Sequence, residues 1–313
     1  MKNKVGKTAI VAVMASTVLL ALAMLLTADV DDQYSDWSTP VNLGSVNTLA
    51  FEQGVAISKD GLSLYFHSNR PGGFGGADIY VSRRASVDAP WGPAQNLGPN
   101  INTPFNENAP DLSLDGHQLY FQSNRPGGYG GTDIYVSERH NRRDDFGWQP
   151  AENLGAGVNS SATDQQPCFF EDDTTGTTTL YFNSNRPGGI GSHDIYASTL
   201  QPDGSFGAAA LVEELSSPWD DQGPDIRRDG LEMFLASDRP GTLGYHDLWV
   251  STRSSTSDPW SLPVNLGPVI NSIYIDVAPQ LSFDGTVLYF GADDPTHTNQ
   301  DIWVTTRTKL KQQ

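Results

Sequence analysis

Beyond residue 36, short apolar runs alternate with glycine- and proline-rich segments in a pattern that recurs along the chain. The phrase Ser-Asn-Arg-Pro-Gly-Gly occupies residues 68–73, 123–128 and 184–189, and a weaker copy, Ser-Asp-Arg-Pro-Gly, occupies residues 237–241. The arginines of successive copies stand 55, 61 and 53 residues apart. One apolar run precedes each copy and another follows it. A period of this length predicts a small structural unit that repeats.

Each unit predicts four short strands. The first strand ends at an Asp-Gly pair, and the second contains a run such as Leu-Tyr-Phe. The third opens with aspartate, as in Asp78-Ile-Tyr-Val, and the fourth carries a tryptophan followed by Asn-Leu-Gly. Tyr, Phe, Ile, Val and Trp favour strands, and Asp-Gly between apolar runs is typical of a tight hairpin in which both turn residues have positive φ. The pairs are Asp60-Gly61, Asp115-Gly116, Asp229-Gly230 and Asp284-Gly285.

The order of the strands predicts a closed ring. Outside the N-terminal segment the chain begins on a fourth strand, residues 37–43, and it ends on a third strand, residues 301–305, of the fifth unit. The N-terminal strand is therefore expected to complete the blade made by the last three strands, which removes the free sheet edges. We predict an all-β fold, a five-bladed β-propeller in residues 36–313 closed by this pairing.

The first 35 residues predict a targeting segment instead of a part of the fold. Lys2, Lys4 and Lys7 precede an uncharged run over residues 8–28, and acidic residues follow directly. A basic start before an apolar run is typical of a secretion signal or an N-terminal anchor. Both alternatives stay open. We expect a periplasmic or secreted propeller, attached to the inner membrane through residues 8–28 if the segment is not cleaved.

Charge and cysteine content exclude several classes of function. The 313 residues include 37 acidic and 19 basic side chains, a formal net charge of −18. Binding of nucleic acid needs clustered Lys and Arg, so we expect no nucleic-acid partner. The single cysteine, Cys168, excludes an internal disulfide framework and is expected to be buried as a small apolar residue.

The repeat resembles the WD-like repeat of the TolB-type propellers. The resemblance rests on the pattern Ser-x-Asp-Gly-x-x-Leu-Tyr-Phe-x-Ser-Asn-Arg-Pro-Gly-Gly followed by Asp-Ile-Tyr-Val, and it covers residues 37–307. It implies an exported protein that binds other proteins or components of the cell envelope. With no catalytic motif evident, we predict a non-catalytic envelope binding or scaffold propeller that recognises a protein or glycan on one face. The alternative is a glycan-active hydrolase that uses carboxylates around the channel mouth, because some five-bladed propellers are furanosidases and a pair of acids suffices for glycoside hydrolysis.

An acid stands at the start of each innermost strand, on the face that also carries the Asn-Arg-Pro-Gly loops and is called the top face below. These acids are expected to ring the channel mouth, either as a ligand-binding or cation-binding site or as a structural device repeated in every blade. They are Glu52, Glu107, Asp164, Asp221 and Asp276. Each repeat arginine is expected to form a structural ion pair with the aspartate that opens its third strand. The pairs are Arg70–Asp78, Arg125–Asp133, Arg186–Asp194 and Arg239–Asp247.

The fifth unit departs from its siblings, because Asp294 replaces the arginine and Asp293 replaces the asparagine before it. With Asp276 and Asp301 they predict an oxygen-rich cluster on one side of the top face. Such clusters suit Ca²⁺, which is the one metal we expect. The alternative is ordinary divergence of a terminal repeat.

Overall fold

The computed structural model describes residues 34–293 and 299–310. The predicted targeting run over residues 8–28 lies outside the described residues. Within the described ranges, no helix is both long and apolar enough to cross a membrane. The chain divides into two units, of which the propeller, Trp37–Arg307, is the larger. In the described part of the smaller unit, Tyr34 and Lys309 form an isolated antiparallel bridge.

Five four-stranded antiparallel sheets make up the larger unit, which confirms the predicted all-β, five-bladed propeller. The first blade contains β2 (Glu52–Ile57), β3 (Ser63–Ser68), β4 (Asp78–Arg83) and β5 (Gln95–Asn96). The second contains β6 (Glu107–Leu112), β7 (Gln118–Ser123), β8 (Asp133–Glu138) and β9 (Glu152–Asn153). The third contains β10 (Asp164–Glu171), β11 (Thr178–Ser184), β12 (Asp194–Thr199) and β13 (Ala210–Leu211).

The fourth blade contains β14 (Asp221–Ile226), β15 (Glu232–Ser237), β16 (Asp247–Thr252) and β17 (Val264–Asn265). The fifth contains β18 (Asp276–Leu281), β19 (Val287–Asp293), β20 (Gln300–Thr306) and, from the start of the chain, β1 (Val41–Asn42). A short 3-10 turn follows β1 at Gly44–Val46. The innermost strands β2, β6, β10, β14 and β18 each pack against the next, and β18 packs against β2, so the ring is closed.

The ring closes through β1, which pairs with β20 in the register Val41↔Val304 and Asn42↔Trp303. The outer strand is only two residues long in every blade, shorter than the sequence pattern predicts. An outermost strand has a partner on one side only, and its flanking prolines, such as Pro40 and Pro93, cannot donate to a ladder. The rest of each fourth segment is therefore irregular chain that packs against the blade.

Apolar side chains from neighbouring blades meet in five clusters. Strand β3 shows how one run supplies two of them. Tyr65 lies in the cluster shared with the second blade, whereas Leu64 and Phe66 lie in the cluster shared with the fifth. Successive side chains of a strand point to opposite faces, so a strand that is covered on both faces needs an unbroken apolar run. This requirement explains the recurring Leu-Tyr-Phe.

The hairpins on the bottom face, opposite the Asn-Arg-Pro-Gly loops, differ from the predicted two-residue turn. Gly61 has a φ of +70°, but Asp60 is not among the residues with positive φ. The Asp60 carboxylate instead accepts hydrogen bonds from Ser58 Oγ at 2.7 Å and from Leu62 N at 3.1 Å. The turn is a longer loop that the aspartate side chain stabilises and in which only glycine adopts the left-handed conformation.

Every innermost strand contains a bulge that the sequence pattern did not predict. The strand register shifts between the second and fifth residues of the strand, as between Gln53 and Ala56 in β2. The third residue of each bulged strand has positive φ, and three of these five residues are not glycine: Ala109, Gln166 and Ala278. A left-handed conformation costs an L-residue roughly 1–2 kcal/mol. The bulges change the direction of the side chains that follow them, and so they determine which side chains face the central channel.

Candidate functional site

The five acids of the top face are buried, not open to a ligand. Glu52, Glu107, Asp164 and Asp221 have no exposed surface, and Asp276 is 1% exposed. Glu107 shows how such an acid is held: its Oε1 accepts from Ser123 Oγ at 2.9 Å and its Oε2 accepts from Thr103 N at 2.8 Å. The geometry assigns these residues to the structural device and not to the predicted ligand ring.

The predicted partners of the repeat arginines were wrong. Arg125 Nη2 lies 3.1 Å from Glu107 Oε1, and the same atom donates to Ile101 O at 2.6 Å. The corresponding ion pairs of the other three blades are Arg70–Glu52, Arg186–Asp164 and Arg239–Asp221. The arginine therefore ties its own loop to the acid of the innermost strand, because that acid is fully buried and needs a positive charge beside it.

The aspartates that open the third strands hold the glycine loops. Asp78 accepts from the backbone N–H of Phe74 at 2.5 Å and of Gly75 at 3.2 Å, and from Asn96 Nδ2 at 3.0 Å. The equivalent aspartates Asp133, Asp194 and Asp247 also accept backbone N–H groups of their glycine loops. These carboxylates replace the water that the loop amides would otherwise bind.

The fifth blade keeps part of this arrangement without the arginine. Asp276 accepts from Ser272 N at 2.6 Å and Ser272 Oγ at 2.9 Å. Burial, with a smaller effect of the nearby Asp247 and Asp293 carboxylates, raises the pKa of Asp276 to about 6. Asp301 accepts from Asn42 Nδ2 at 2.7 Å. Asp294 lies outside the described residues, and among those described there is no group of three or more acidic, His or Cys side chains suited to a metal. The calcium site stays a prediction.

The top face carries a recess of about 430 Å³ with a mostly uncharged wall. Its polar groups are mainly amides, including Gln53, Asn108, Gln165 and Gln222, and Phe51 forms part of the rim. The first four stand one residue after the buried acids of their strands. Amides can donate and accept hydrogen bonds but cannot supply or take up the proton of a hydrolytic reaction.

The bottom face carries a larger cavity, of about 860 Å³, which reaches the innermost strands below the bulges. Asp111, Cys168, Asp225 and Gln280 lie in its wall. They occupy one position of the repeat, four residues after the buried acid, where the first blade has Ala56. This level of the channel therefore combines unlike groups, whereas the level of the buried acids repeats the same charge in every blade.

Two carboxyl groups, Asp111 and Asp225, bind the neighbouring blade in the same way. Asp111 Oδ2 accepts from Phe169 N at 2.6 Å, and Asp225 Oδ2 accepts from Leu281 N at 2.7 Å. Asp225 Oδ1 also accepts from Gln280 Nε2 at 2.9 Å. Backbone N–H groups therefore fix both side chains. Little solvent reaches them, because Asp111 is 7% exposed and Asp225 is 4% exposed.

Burial raises the pKa of Asp111 to about 7, against the opposing effect of the Phe169 and Leu112 N–H groups. Burial also raises the pKa of Asp225 well above its ordinary value, and the Asp111 carboxylate raises it further. The Cys168 thiol has its pKa raised by burial and by both carboxylates, so it stays protonated. Two carboxyl groups that share a low-dielectric channel cannot both ionise easily, and near neutral pH one of them retains its proton.

The raised pKa of Asp111 predicts that stability falls as pH rises. A carboxyl group whose pKa is higher in the folded state stabilises the fold fully below the unfolded-state value of 3.8, and this stabilisation is lost as pH rises through about 7. The shift corresponds to about 4 kcal/mol. We expect Asp111→Asn to be more stable than the wild type at pH 8 by a large part of this amount, and equally stable at pH 4. Denaturant unfolding at both pH values measures it, and parallel pH dependences of the two proteins would contradict the assignment.

Asp111 and Asp225 were not predicted as site residues, because acids that recur in every blade were considered as the candidates around the channel. A usable signal was present, since each stands between apolar residues near the end of a predicted innermost strand. A charged residue at a buried strand position is informative because burying a charge costs free energy. Either a partner group offsets this cost or the function of the protein requires the charge there.

Fold and site together define a five-bladed β-propeller with a coupled carboxyl pair in its central channel. No protein-family model and no curated protein sequence matches the chain. Solved structures do match it. The α-L-arabinofuranosidase from Lactobacillus brevis shares 18% identity and a TM-score of 0.58, covering 83% of this chain and 92% of that one. The endo-arabinase from Bacteroides thetaiotaomicron shares 18% identity and a TM-score of 0.57, covering 88% and 99%.

TolB from Acinetobacter baumannii also matches, at 13% identity and a TM-score of 0.50, covering 93% of this chain and 68% of that one. Most of the similar structures are glycoside hydrolases of the arabinofuranosidase and arabinanase type. This finding contradicts the first functional prediction, a non-catalytic envelope scaffold, and favours the alternative of a glycan-active hydrolase. At these identities the similarity shows the fold alone, so the TolB-type assignment is not confirmed and the residues of the channel have to support the chemistry.

Proposed function

We propose that the protein hydrolyses glycosidic bonds, with Asp111 and Asp225 as the reacting carboxyl groups. The observation that carries this proposal is the pair itself: two nearly buried carboxyl groups, each with a raised pKa, that line one cavity. Glycoside hydrolysis needs one carboxylic acid to protonate the leaving oxygen and one carboxylate to act as base or nucleophile.

The environments of the two groups assign their roles. Asp225 has its pKa raised by burial and by the charge on Asp111, so it keeps its proton and serves as the general acid. Asp111 has a pKa of about 7, which the Phe169 and Leu112 N–H groups act to lower, and it serves as the base or nucleophile. The hydrogen bonds from Phe169 N and Leu281 N fix each carboxyl group relative to the next blade. Such positioning by rigid strands is what an acid–base pair requires.

The similar structures add support for a carbohydrate as ligand, because most of them are arabinan- or arabinofuranoside-cleaving enzymes. We propose a glycan as the partner. We also propose that the enzyme works outside the cytoplasm, since the basic start and the apolar run over residues 8–28 favour export. Whether that run is removed or anchors the protein leaves the chemistry unchanged.

A panel of polysaccharides and oligosaccharides tests the proposal. The purified full chain is incubated with arabinan, arabinoxylan and uronate-containing glycans, and new reducing ends are measured. We expect turnover of at least one glycan by the wild type and none by the Asp111→Asn/Asp225→Asn variant. Absence of turnover across the panel, or equal turnover by the double variant, would remove the proposal.

A further inference from the structure

Positive charge is concentrated in the bottom cavity of an otherwise acidic protein. The chain carries a net charge of −18 and 19 lysines and arginines. Among the described residues, seven of those cations line this one cavity. Six acids also line it, but two of them are Asp111 and Asp225, whose raised pKa values reduce their negative charge near neutral pH. The cavity is therefore locally positive.

Three of the cations are available to a ligand. Lys59, Arg142 and Arg143 are exposed, and none has a carboxylate partner within the described part of the chain. The Lys59 ammonium lies 4.5 Å from the centre of the Phe283 ring, which keeps it at the cavity rim without neutralising it. Free guanidinium groups at a concave site suit carboxylates and other oxyanions, which they bind through paired N–H donors.

Two acids of the cavity, Asp145 and Asp115, already have partners. Asp145 accepts from Arg83 Nε at 2.5 Å and from Arg139 Nη1 at 2.8 Å. Asp115 accepts from Ser113 Oγ at 2.7 Å and from His117 N at 3.0 Å, within its hairpin. Because these carboxylates are bound to other groups of the protein, they form no ion pair with Arg142 or Arg143.

We propose that the substrate of this cavity is an acidic glycan, one whose sugars carry carboxylate or sulfate groups, and that Lys59, Arg142 and Arg143 bind those groups. The inference rests on the proposed function for the reaction, and it adds the substrate class. A neutral arabinan would leave these cations without a role, whereas an acidic chain places its charges on the rim and its glycosidic bond over the carboxyl pair. Selection by rim charge also accounts for specificity in a protein that repels anions elsewhere.

Binding is tested apart from turnover by calorimetry on the purified full chain. The probes are an oligogalacturonate, a sulfated oligosaccharide of equal length, and the methyl ester of the oligogalacturonate as a neutral match. We expect at least one acidic probe to bind about tenfold more tightly than the ester, with a preference that declines as salt is added. Arg142→Gln and Arg143→Gln should each reduce the preference several-fold without lowering the melting temperature. Lys309→Gln, which removes an exposed cation that does not line the cavity, should leave it intact.

The outcomes separate this inference from the proposed function. Equal binding of the ester and both acidic probes, or a preference that the arginine variants retain, overturns the acidic-glycan inference even if a neutral glycan is cleaved. Tighter binding of an acidic probe that depends on Arg142 and Arg143 supports the inference. If that binding occurs without hydrolysis of any glycan, the proposed reaction fails while the ligand class stands.

Discussion

Asp225→Asn is expected to lower kcat on a cleaved glycan by about 10²–10⁴-fold, the usual contribution of a general acid. The asparagine keeps the size of the side chain and can still accept from Leu281 N, which lies 2.7 Å from Asp225 Oδ2 in the wild type. It cannot donate a proton to the leaving oxygen. The loss should therefore appear in kcat, with KM changed far less, because substrate contacts on the cavity rim remain.

The matched control is Asp203→Asn. Asp203 accepts from Ser205 N at 3.0 Å in an exposed turn and does not line the cavity. Steady-state kinetics on the same glycan should show wild-type kcat for this variant. A substrate with a leaving group that needs no protonation, such as a dinitrophenyl glycoside, should recover much of the Asp225→Asn rate. Wild-type kcat in Asp225→Asn on an ordinary glycan would exclude Asp225 as the acid.

Arg125→Ala is expected to destabilise the propeller by about 3–5 kcal/mol, the range for breaking a buried ion pair from one side. Glu107 has no exposed surface and would lose the guanidinium that lies 3.1 Å away. The Ile101 carbonyl would lose its donor as well. Since a domain of this kind is stable by about 5–15 kcal/mol, urea unfolding should show a large decrease in the midpoint.

A double variant distinguishes this account from a simple loss of packing. Glu107→Gln removes the buried charge, so Arg125→Ala/Glu107→Gln should be more stable than Arg125→Ala alone. The exposed Arg143→Ala should change the free energy of unfolding by less than about 0.5 kcal/mol. A double variant as unstable as the sum of the single ones would show that the two residues do not interact energetically.

The fold could be predicted from the sequence because its determinants are local and repeated. A Leu-Tyr-Phe run occurs in four of the five units and is buried on both faces, and an Asp-Gly pair follows the innermost strand in four of them, so the repeats specify five blades. The pairing of the first strand with the last blade also followed from strand order. The bulge could not be predicted, because alanine and glutamine rarely adopt positive φ, and yet Ala109 and Gln166 do so here.

The site was harder to predict because its environment comes from several blades. Asp111 and Phe169 are 58 residues apart in the chain yet form one hydrogen bond. The predicted partner of Arg70 was Asp78, which is closer in the chain. The observed partner is Glu52, because its buried carboxylate needs a cation beside it. Repetition identified the structural acids. One level of the channel carries a different residue in nearly every blade, and it is the part of the ring in which the blades differ. Its residues are Ala56, Asp111, Cys168, Asp225 and Gln280.

Asp111 and Asp225 are proposed to act as a coupled base and acid on a glycan. The pH dependence of kcat/KM, measured for the wild type and for Asp111→Asn on one cleaved glycan, tests this proposal most directly. Because Asp111 must be ionised, activity is predicted to rise with pH through an apparent pKa near 7 and to fall at higher pH as Asp225 loses its proton. Asp111→Asn should lack the rising limb together with most of the activity. A wild-type profile that is flat from pH 5 to 8, or one that Asp111→Asn leaves unchanged, would contradict the account.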